Sequence, residues 1–370
     1  MKELAEARKK INQIDEQMAK LFEERMLLSM EIADYKKEHA LPIKDPEREE
    51  EMIKKNRNMI ENKSVEGYYV DFLKNIINLS CAYQTRLLEG LKVSYSGVEG
   101  AFSHIAAKRL FPQAELIPCP DFTKAYRSVE TGESDCCVLP IENSFAGDVG
   151  TVMDLMFSGD LYINQVIDVD IVQNLIASEN ATVESVKKVL SHPQALEQSD
   201  EFINSHGYET IAYSNTALAA KYVKEQNDPT IAAIASAETA ELFSLKILDS
   251  HINTSRNNTT RFAAFSRSQN KPAATKKRDN EHFILVYTVR NEAGALAQTL
   301  NIIGAHGFNM RSLRSRPMKD LLWSYYFYVE AEGNVNTVNG KEMLKELSAI
   351  CAKLKLVGTY LGYDNEGQKA

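Results

Sequence analysis

Cysteine and histidine are scarce and scattered in this chain. Its 370 residues include five cysteines and seven histidines. The cysteines show no zinc-ligand spacing, and no HExxH pair occurs among the histidines. Such a pattern is typical of reduced thiols in a cytosol and gives no support to a structural or catalytic metal. We therefore expect no metal and no other cofactor in whatever this protein does.

Long apolar runs and an excess of positive charge are also missing. The net charge of −8 argues against general binding to nucleic acid or to an anionic membrane surface. No apolar run is long enough to span a bilayer, and the first residues, MKELAEARKKINQIDEQ, form an amphipathic helix pattern instead of a signal peptide. We therefore expect a cytoplasmic protein that binds small molecules and has neither a nucleic-acid nor a membrane partner.

Glycine and proline are nearly absent from residues 1–90, where only Gly67, Gly90, Pro42 and Pro46 occur. Their absence predicts long helices. The first helix should end before Pro42, and the second should start at Pro46. A third is expected over about 66–88. The first helix carries two apolar stripes at heptad spacing: Leu4, Ile11, Met18 and Ile32, and Ala7, Ile14, Leu21 and Leu28.

Three cations, Arg8, Arg25 and Lys36, lie along or beside these stripes. Desolvating an unpaired cation is costly, so we expect either an anionic ligand or ion pairs. At about 1.5 Å per residue, Arg25 and Lys36 are ~16 Å apart, but Arg8 and Lys36 are ~42 Å apart. Arg8 would therefore reach the other two only from an antiparallel second copy, which predicts a two-fold homodimer. A helical dimerisation arm with surface ion pairs remains the alternative.

The pattern changes after residue 90 and divides the rest of the chain. Over 91–267, short β-branched runs alternate with helical stretches, which predicts an α/β domain with open sheets. Residues 268–280 are polar and aperiodic, and we expect a linker there. Residues 281–363 follow the order βαββαβ of an α+β ferredoxin-like fold. The last residues, 364–370, are expected to form a frayed tail.

The N-terminal 90 residues resemble the all-helical chorismate mutase domain of the bifunctional P-proteins. The positions that match that family's site are Arg8, Arg25, Lys36, Asp45, Arg48, Glu49, Ser80 and Gln84. The resemblance implies that Arg25 and the partner subunit's Arg8 bind the two carboxylates of chorismate. It implies that Lys36 and Gln84 are catalytic and donate hydrogen bonds to the ether oxygen. Glu49 and the backbone near Asp45 would hold the ring hydroxyl.

Four motifs in the middle segment follow strands, where ligands gather in open α/β sheets. They are Tyr95–His104 (YSGVEGAFSH), Pro140–Ser144 (PIENS), Ser191–Gln194 (SHPQ) and Asn257–Phe262 (NNTTRF). Together they resemble prephenate dehydratase over about 91–267. The resemblance implies two periplasmic-binding-protein-like lobes, with Thr260 as the catalytic residue in the cleft between them. The residues expected to bind prephenate are Ser103, Glu142, Asn143, Ser144, Thr216 and Arg261. For Arg261, a structural salt bridge is an equal alternative.

Two motifs near the C-terminus resemble the ACT domain of these enzymes, which binds phenylalanine. The first runs from Gly294 through Ala295 and Leu296 at a helix start. The second contains Arg314, Ser315, Arg316 and Pro317 at a strand end. The family usually has glutamate where this chain has Arg314, and a cation there could change how the ammonium group of the amino acid is received. The resemblance thus implies an ACT domain with phenylalanine as effector.

These observations predict a bifunctional enzyme of phenylalanine biosynthesis. Its isomerase activity would convert chorismate to prephenate, and its lyase activity would convert prephenate to phenylpyruvate. The expected assembly is a homodimer or a higher homo-oligomer.

Two alternatives to this function stay open. One is a mutase fused to a different prephenate-using enzyme such as a dehydrogenase, although no GxGxxG fingerprint occurs. The other is a non-catalytic amino-acid-sensing protein.

Overall fold

The structure, a computed structural model, describes residues 2–39, 41–255, 257–269, 280–318 and 324–362. It divides into two compact units, Met1–Leu91 and Lys92–Ala370. Most of the predicted linker 268–280 and the whole of the predicted tail 364–370 lie outside the described residues. Within the described part of the chain, no helix is long and apolar enough to cross a membrane.

Three helices make up the first unit: α1 (Lys2–Glu38), α2 (Pro46–Arg57) and α3 (Glu66–Glu89). The predicted start of α2 is confirmed, because the Asp45 carboxylate accepts a hydrogen bond from the backbone N–H of Arg48 at 3.1 Å and Pro46 opens the helix. Helix α3 ends at Gly90, whose φ of +86° favours glycine. The three-helix order predicted from glycine and proline is therefore correct.

The two apolar stripes of α1 are exposed within one chain. Leu4, Ile14, Leu21 and Leu28 are 56%, 55%, 63% and 57% exposed, respectively. Helix α1 packs on α3 only with its C-terminal half, where Ser29 and Ala33 are buried. An exposed apolar surface of this length is typical of a helix that packs against a further helix.

Two sheets form the second unit, and their strands are bounded as follows: β1 (Lys92–Ser96), β2 (Glu115–Cys119), β3 (Cys136–Asn143), β4 (Gly147–Asp148), β5 (Tyr162–Asp170), β6 (Asn174–Ala177), β7 (Lys188–Ser191), β8 (Glu209–Ala212), β9 (Ile231–Ala235), β10 (Lys246–Asp249), β11 (Thr259–Ser266), β12 (Glu281–Thr288), β13 (Asn309–Pro317), β14 (Tyr325–Glu332) and β15 (Lys353–Leu361). The larger sheet has the order β13-β14-β12-β15-β5-β11-β3-β1-β2, with β4 beside β3, and the smaller one has the order β10-β6-β9-β7-β8.

Helices cover these sheets: α4 (Phe102–Leu110), α5 (Phe122–Thr131), α6 (Gly150–Ser158), α7 (Pro193–Glu197), α8 (Asp200–His206), α9 (Thr216–Gln226), α10 (Ala237–Leu242), α11 (Ala295–Ala305) and α12 (Val338–Ile350). The chain passes from the larger sheet to the smaller one after β5 and returns before β11. Each sheet has its own apolar core. The alternation of strands and helices predicted for 91–267 is thus confirmed, and it gives two α/β lobes.

The C-terminal part, 281–362, has the predicted order of strand, helix, strand, strand, helix and strand. Its four strands pair antiparallel around a core that includes Phe283, Tyr287 and Val329. We call this part the C-terminal module. Its last strand, β15, also lies parallel to β5, with Gly358 opposite Ile163. A Cβ atom at Gly358 would lie only 2.0 Å from the Ile163 carbonyl oxygen, so glycine is needed for the module to join the larger sheet.

Candidate functional site

Arg25 and Ser80 form the centre of a polar cluster in the helical unit. The Arg25 guanidinium, on α1, donates a hydrogen bond to the Ser80 hydroxyl, on α3. Ser80 and Gln84, one turn apart on α3, are only 5% and 6% exposed. Burial lowers the pKa of Arg25 from its usual value. The side-chain oxygen of Gln84 has no hydrogen-bond partner among the described residues, which marks this cluster as a place for a polar ligand.

Lys36 and Glu49 reach the same region from α1 and α2. The Lys36 ammonium donates to the carbonyl oxygen of Ile43, and the Cys81 thiol lies 3.7 Å from a carboxylate oxygen of Glu49. Burial and the Glu49 charge raise the pKa of Cys81, while the nearby Lys36 charge lowers it. Cys81 was not predicted from the sequence. Its position beside Ser80 on α3 is the only signal that pointed to it.

Three predicted mutase residues are not gathered in this cluster. Arg8 and Arg48 are exposed, and the Asp45 carboxylate is engaged in capping α2. At about 1.5 Å per residue, Arg8 lies ~25 Å from Arg25 along the straight run of α1. Within one chain, therefore, Arg8 does not contribute to the cluster.

A cavity of about 750 Å³ lies between the two lobes of the second unit. Four of the predicted dehydratase residues line it, namely Ser103, Asn143, Thr216 and Thr260. Several other polar residues that line it were not predicted as site residues: Ser96, Asp148, Gln173, His192, Gln194 and Asn215. His192 belongs to the SHPQ motif, where its ring nitrogen accepts a hydrogen bond from the backbone N–H of Gln194 at the start of α7.

The Thr260 hydroxyl is held by Asn143. The backbone N–H groups of Phe145 and Ala146 donate to Asn143 Oδ1 at 3.0 and 2.7 Å, so the amide nitrogen of Asn143 must face the other way. That nitrogen donates to Thr260 Oγ1 at 2.8 Å and to Asn258 Oδ1 at 2.9 Å. Because Thr260 accepts this bond, its own hydroxyl proton stays available to a group in the cavity.

Two helices begin at the cavity wall. Ser103 lies in the first turn of α4, and Thr216 opens α9, with Asn215 accepting a hydrogen bond from the backbone N–H of Ala217 at 2.7 Å. Helix N-termini attract anions through their free N–H groups. No arginine or lysine occurs among the described lining residues, whose charged members are Asp121 and Asp148. An anion in this cavity would therefore be bound by backbone amides and hydroxyls.

Glu142, Ser144 and Arg261 do not line the cavity. The Ser144 hydroxyl donates to the Asn257 carbonyl oxygen and accepts from the Thr259 backbone N–H, both at 2.9 Å. The sequence left two roles open for Arg261, binding of prephenate or a structural salt bridge. The geometry supports the structural salt bridge.

Arg261 lies 3.0 Å from Asp168 and 3.4 Å from Glu330, whose side chain is only 2% exposed. Burial disfavours the charge on Arg261, but the hydrogen bond to Asp168 and the Glu330 charge outweigh it and raise the pKa of the guanidinium. These contacts occupy Arg261 and connect the dehydratase-like lobe to the C-terminal module.

A smaller pocket of about 170 Å³ lies in the C-terminal module, at the start of α11. Gly294 and Ala295 line it, and Gly294 has a φ of +82°. Leu296 packs against the core of the module. The other predicted effector residues, Arg314, Ser315, Arg316 and Pro317, lie on β13 and are not in the lining of this pocket.

Comparison with known proteins gives one family match in the helical unit and another in the part of the chain that forms the two lobes. The family model for chorismate mutase type II matches residues 7–85, and the family model for prephenate dehydratase matches residues 93–270. A curated bifunctional chorismate mutase/prephenate dehydratase from Aquifex aeolicus (strain VF5) is 33% identical over 365 residues, covering 97% of this chain and 98% of the relative.

Solved structures of similar proteins cover about three quarters of the chain. The prephenate dehydratase from Arthrobacter aurescens in complex with L-Phe is 25% identical, with a TM-score of 0.67 over 74% of this chain and 90% of that chain. GqqA, described as a novel type of quorum quenching acylase, is 26% identical, with a TM-score of 0.67 over 74% of this chain and 99% of that chain.

Proposed function

The chain belongs to the bifunctional chorismate mutase/prephenate dehydratases, and from that premise we propose which of its residues carry the two reactions. The enzyme converts chorismate to prephenate and prephenate to phenylpyruvate in phenylalanine biosynthesis. The prephenate dehydratase match argues against the alternative of a fused dehydrogenase. The observation that best supports the residue assignments is that buried polar side chains converge in each unit, at Arg25 and Ser80 in one and at Asn143 and Thr260 in the other.

The helical unit has the groups that the mutase reaction needs. A pericyclic rearrangement requires no nucleophile, only a held conformer and stabilisation of the charge that develops on the ether oxygen. We assign a carboxylate of chorismate to Arg25, and the ether oxygen to Lys36 and Gln84. An ammonium group has three donors, so Lys36 keeps two after its bond to the Ile43 carbonyl. Glu49 would accept a hydrogen bond from the ring hydroxyl.

The second carboxylate of chorismate is assigned to Arg8 of a second copy in a two-fold homodimer. The exposed stripes of α1 favour an antiparallel copy of α1 as their occupant, because that arrangement buries both stripes and brings Arg8 of each chain toward Arg25 of the other. Asp45 and Arg48, at the exposed start of α2, would close the edge of this site.

Complementation between variants tests this assembly. We expect Arg8→Ala and Arg25→Ala to be inactive mutases when each is purified alone. After subunit exchange, mixed dimers contain one site with both arginines, so about a quarter of wild-type activity should return. Mixing Arg25→Ala with Lys36→Ala is the matched control: both residues of a site come from the same chain, so each of the two sites in a mixed dimer has one defect and no activity should return. No recovery in the Arg8 mixture after subunit exchange, or equal recovery in the control mixture, would contradict a role for Arg8 across the interface.

The cavity suits a dianion that loses carbon dioxide and hydroxide. We assign the carboxylates of prephenate to the N-termini of α4 and α9, with Ser103 and Thr216 adding hydroxyl donors. The ring C–C bond to one carboxylate breaks, its electron pair forms the new ring double bond, and carbon dioxide leaves. The ring hydroxyl departs with a proton from Thr260 and becomes water, and solvent returns that proton.

A threonine hydroxyl is a weak acid, so its contribution is positioning and partial proton donation. Asn143 supports this role because its amide turns the Thr260 proton toward the cavity. The other predicted cleft residues, Glu142, Ser144 and Arg261, are assigned to holding the walls in place. The domain limits that fit this account are 1–90 for the mutase and 91–267 for the dehydratase.

For residues 281–363 we propose a ferredoxin-like ACT domain that binds phenylalanine. Its strand order and the pocket at Gly294 and Ala295 support this, as does the L-Phe bound by the Arthrobacter aurescens relative. In that pocket, the exposed start of α11 would receive the carboxylate of the amino acid.

Titration with phenylalanine tests the regulatory proposal. We expect L-phenylalanine to lower the dehydratase rate of the intact enzyme in a saturable way, because binding at Gly294 would act on the sheet that the module shares with the dehydratase lobe. D-phenylalanine is the control for stereospecific binding. An unchanged rate at concentrations where calorimetry shows L-phenylalanine bound would remove feedback inhibition from the account.

A further inference from the structure

Arg314 bridges the C-terminal module and the rim of the prephenate cavity. Its guanidinium lies 2.5 Å from a carboxylate oxygen of Glu142, at the end of β3, and 2.5 Å from one of Asp148, in β4. Glu142 and Asp148 are directly opposite each other in the antiparallel β3–β4 pair. Like charges at opposite positions of a strand pair destabilise it, so the β3–β4 hairpin needs a cation at this place.

The β3–β4 hairpin carries the groups that position Thr260. Asn143 is the next residue after Glu142, and its side chain is bonded both to Thr260 and to the hairpin turn at Phe145 and Ala146. Asp148 itself lines the cavity. Opening of the hairpin would therefore release Asn143 Oδ1 from the turn and leave its amide free to rotate away from the Thr260 hydroxyl, although β3 stays paired with β11.

The module also holds α6, the helix that directly follows the hairpin. At its middle, Arg316 and the Tyr326 hydroxyl lie 3.2 and 2.9 Å from Asp154. At its last turn, the ammonium groups of Lys353 and Lys355 donate to the carbonyl oxygens of Phe157 and Met156 at 2.8 and 3.1 Å. Cations at a helix C-terminus are favourable. The middle and the C-terminal end of α6 are thus fixed to the same module as Arg314.

We propose that Arg314 is a positioning residue for the dehydratase reaction, closing the β3–β4 hairpin and so placing Asn143 and Thr260 for proton donation. This inference rests on the proposed placement of prephenate in the cavity. It gives Arg314 a different role from the one that the ACT resemblance implied, because its guanidinium is directed at the dehydratase lobe and is absent from the pocket at Gly294.

The charges around Asp148 predict that the loss of Arg314 changes the pH dependence of the dehydratase rate. Burial raises the pKa of Asp148, and the Glu142 charge raises it further, while Arg314 and Arg316 lower it. Removing Arg314 should therefore raise the pKa of Asp148 again. With Arg314 gone, Arg261 at 3.9 Å from Glu142 and the Arg316 charge near Asp148 neutralise the two carboxylates less closely. The carboxylates then repel each other above the pKa of Asp148, and this repulsion is relieved below it. The dehydratase pH profile should change shape in the acidic range, and a merely structural loss would leave that shape unchanged.

The experiment compares Arg314→Gln with the intact enzyme in both assays. We expect the dehydratase kcat to fall by about ten- to a hundredfold, as for other misplacements of catalytic groups, with an altered acid limb and unchanged mutase activity. Arg311→Gln is the matched control, since Arg311 is on the same strand and pairs within the module, 3.7 Å from Glu332. It should leave both activities at the wild-type level.

The double variant Arg314→Gln/Asp148→Asn separates positioning from a general loss of folding. It removes the repulsion together with the cation, so dehydratase activity should recover at least partly relative to Arg314→Gln. Wild-type kinetics in Arg314→Gln would overturn the inference, and so would a loss with an unchanged pH profile and no recovery in the double variant. If Thr260→Val kept full activity in the same series, the proposed prephenate site itself would fail, whatever Arg314 does.

Discussion

Thr260→Val is expected to lower the dehydratase kcat by about a hundredfold or more while the mutase activity stays unchanged. Valine keeps the shape of threonine but removes the one hydroxyl that Asn143 orients toward the cavity. Without it, the departing ring hydroxyl has no positioned proton, and the buried amide of Asn143 loses one of its acceptors. The measurement is phenylpyruvate formation from prephenate at saturation, with mutase turnover of the same preparation as the folding check.

Two companion variants sharpen this result. Thr260→Ser keeps a hydroxyl and should retain most of the activity. Thr259→Val removes the neighbouring hydroxyl, which is bonded to Asp170 at 2.9 Å and does not line the cavity. It should have little effect on the dehydratase rate. Comparable losses for Thr259→Val and Thr260→Val would show that the strand and not the hydroxyl matters, and would exclude Thr260 as the proton donor.

Lys36→Ala should have the opposite effect, with the mutase kcat lowered by about a hundredfold or more and the dehydratase rate unchanged. Removing one preorganised donor from a site that stabilises developing oxygen charge has an effect of this size. Lys36 is half-buried, and its charge acts on the Cys81 thiol beside Glu49, within the same polar cluster. Prephenate formation from chorismate is the quantity to follow.

The control for Lys36→Ala is Lys20→Ala, on the same helix, because Lys20 is exposed and outside both apolar stripes. It should behave as wild type. If Lys36→Ala lowered both activities equally, the two sites would not be independent. The assignment of the mutase activity to the helical unit and of the dehydratase activity to the second unit would then be wrong.

Local signals in the sequence were sufficient for most of the elements. Pro42 and Pro46 set the end of α1 and the start of α2, and Asp45 caps α2. The strands and helices of 91–267 and 281–363 follow from short β-branched runs and apolar periodicity. What the sequence could not show is the joining of β15 to β5, because sheet neighbours far apart in the chain leave no local pattern. The need for glycine at position 358 becomes clear only from the structure, where β15 lies against Ile163 of β5.

The dehydratase motifs point to the right loops, but they do not show which residues face the cavity. Side chains alternate along a strand, so neighbours in one motif lie on opposite faces. Asn143 and Thr260 therefore line the cavity, whereas Glu142 and Arg261, adjacent to them in sequence, contact charged groups of the C-terminal module. The ion-pair partners of Arg314, Glu142 and Asp148, could not be predicted from the sequence either, because no spacing rule connects residue 314 with residues 142 and 148.

An assay that supplies chorismate alone tests the central claim most directly, which is that one protein catalyses both reactions. The account predicts that chorismate disappears and that phenylpyruvate and carbon dioxide appear in equal amounts. Lys36→Ala should leave chorismate unconsumed, and Thr260→Val should accumulate prephenate. If the intact enzyme left chorismate unchanged, or stopped at prephenate, the account of a bifunctional enzyme would be contradicted.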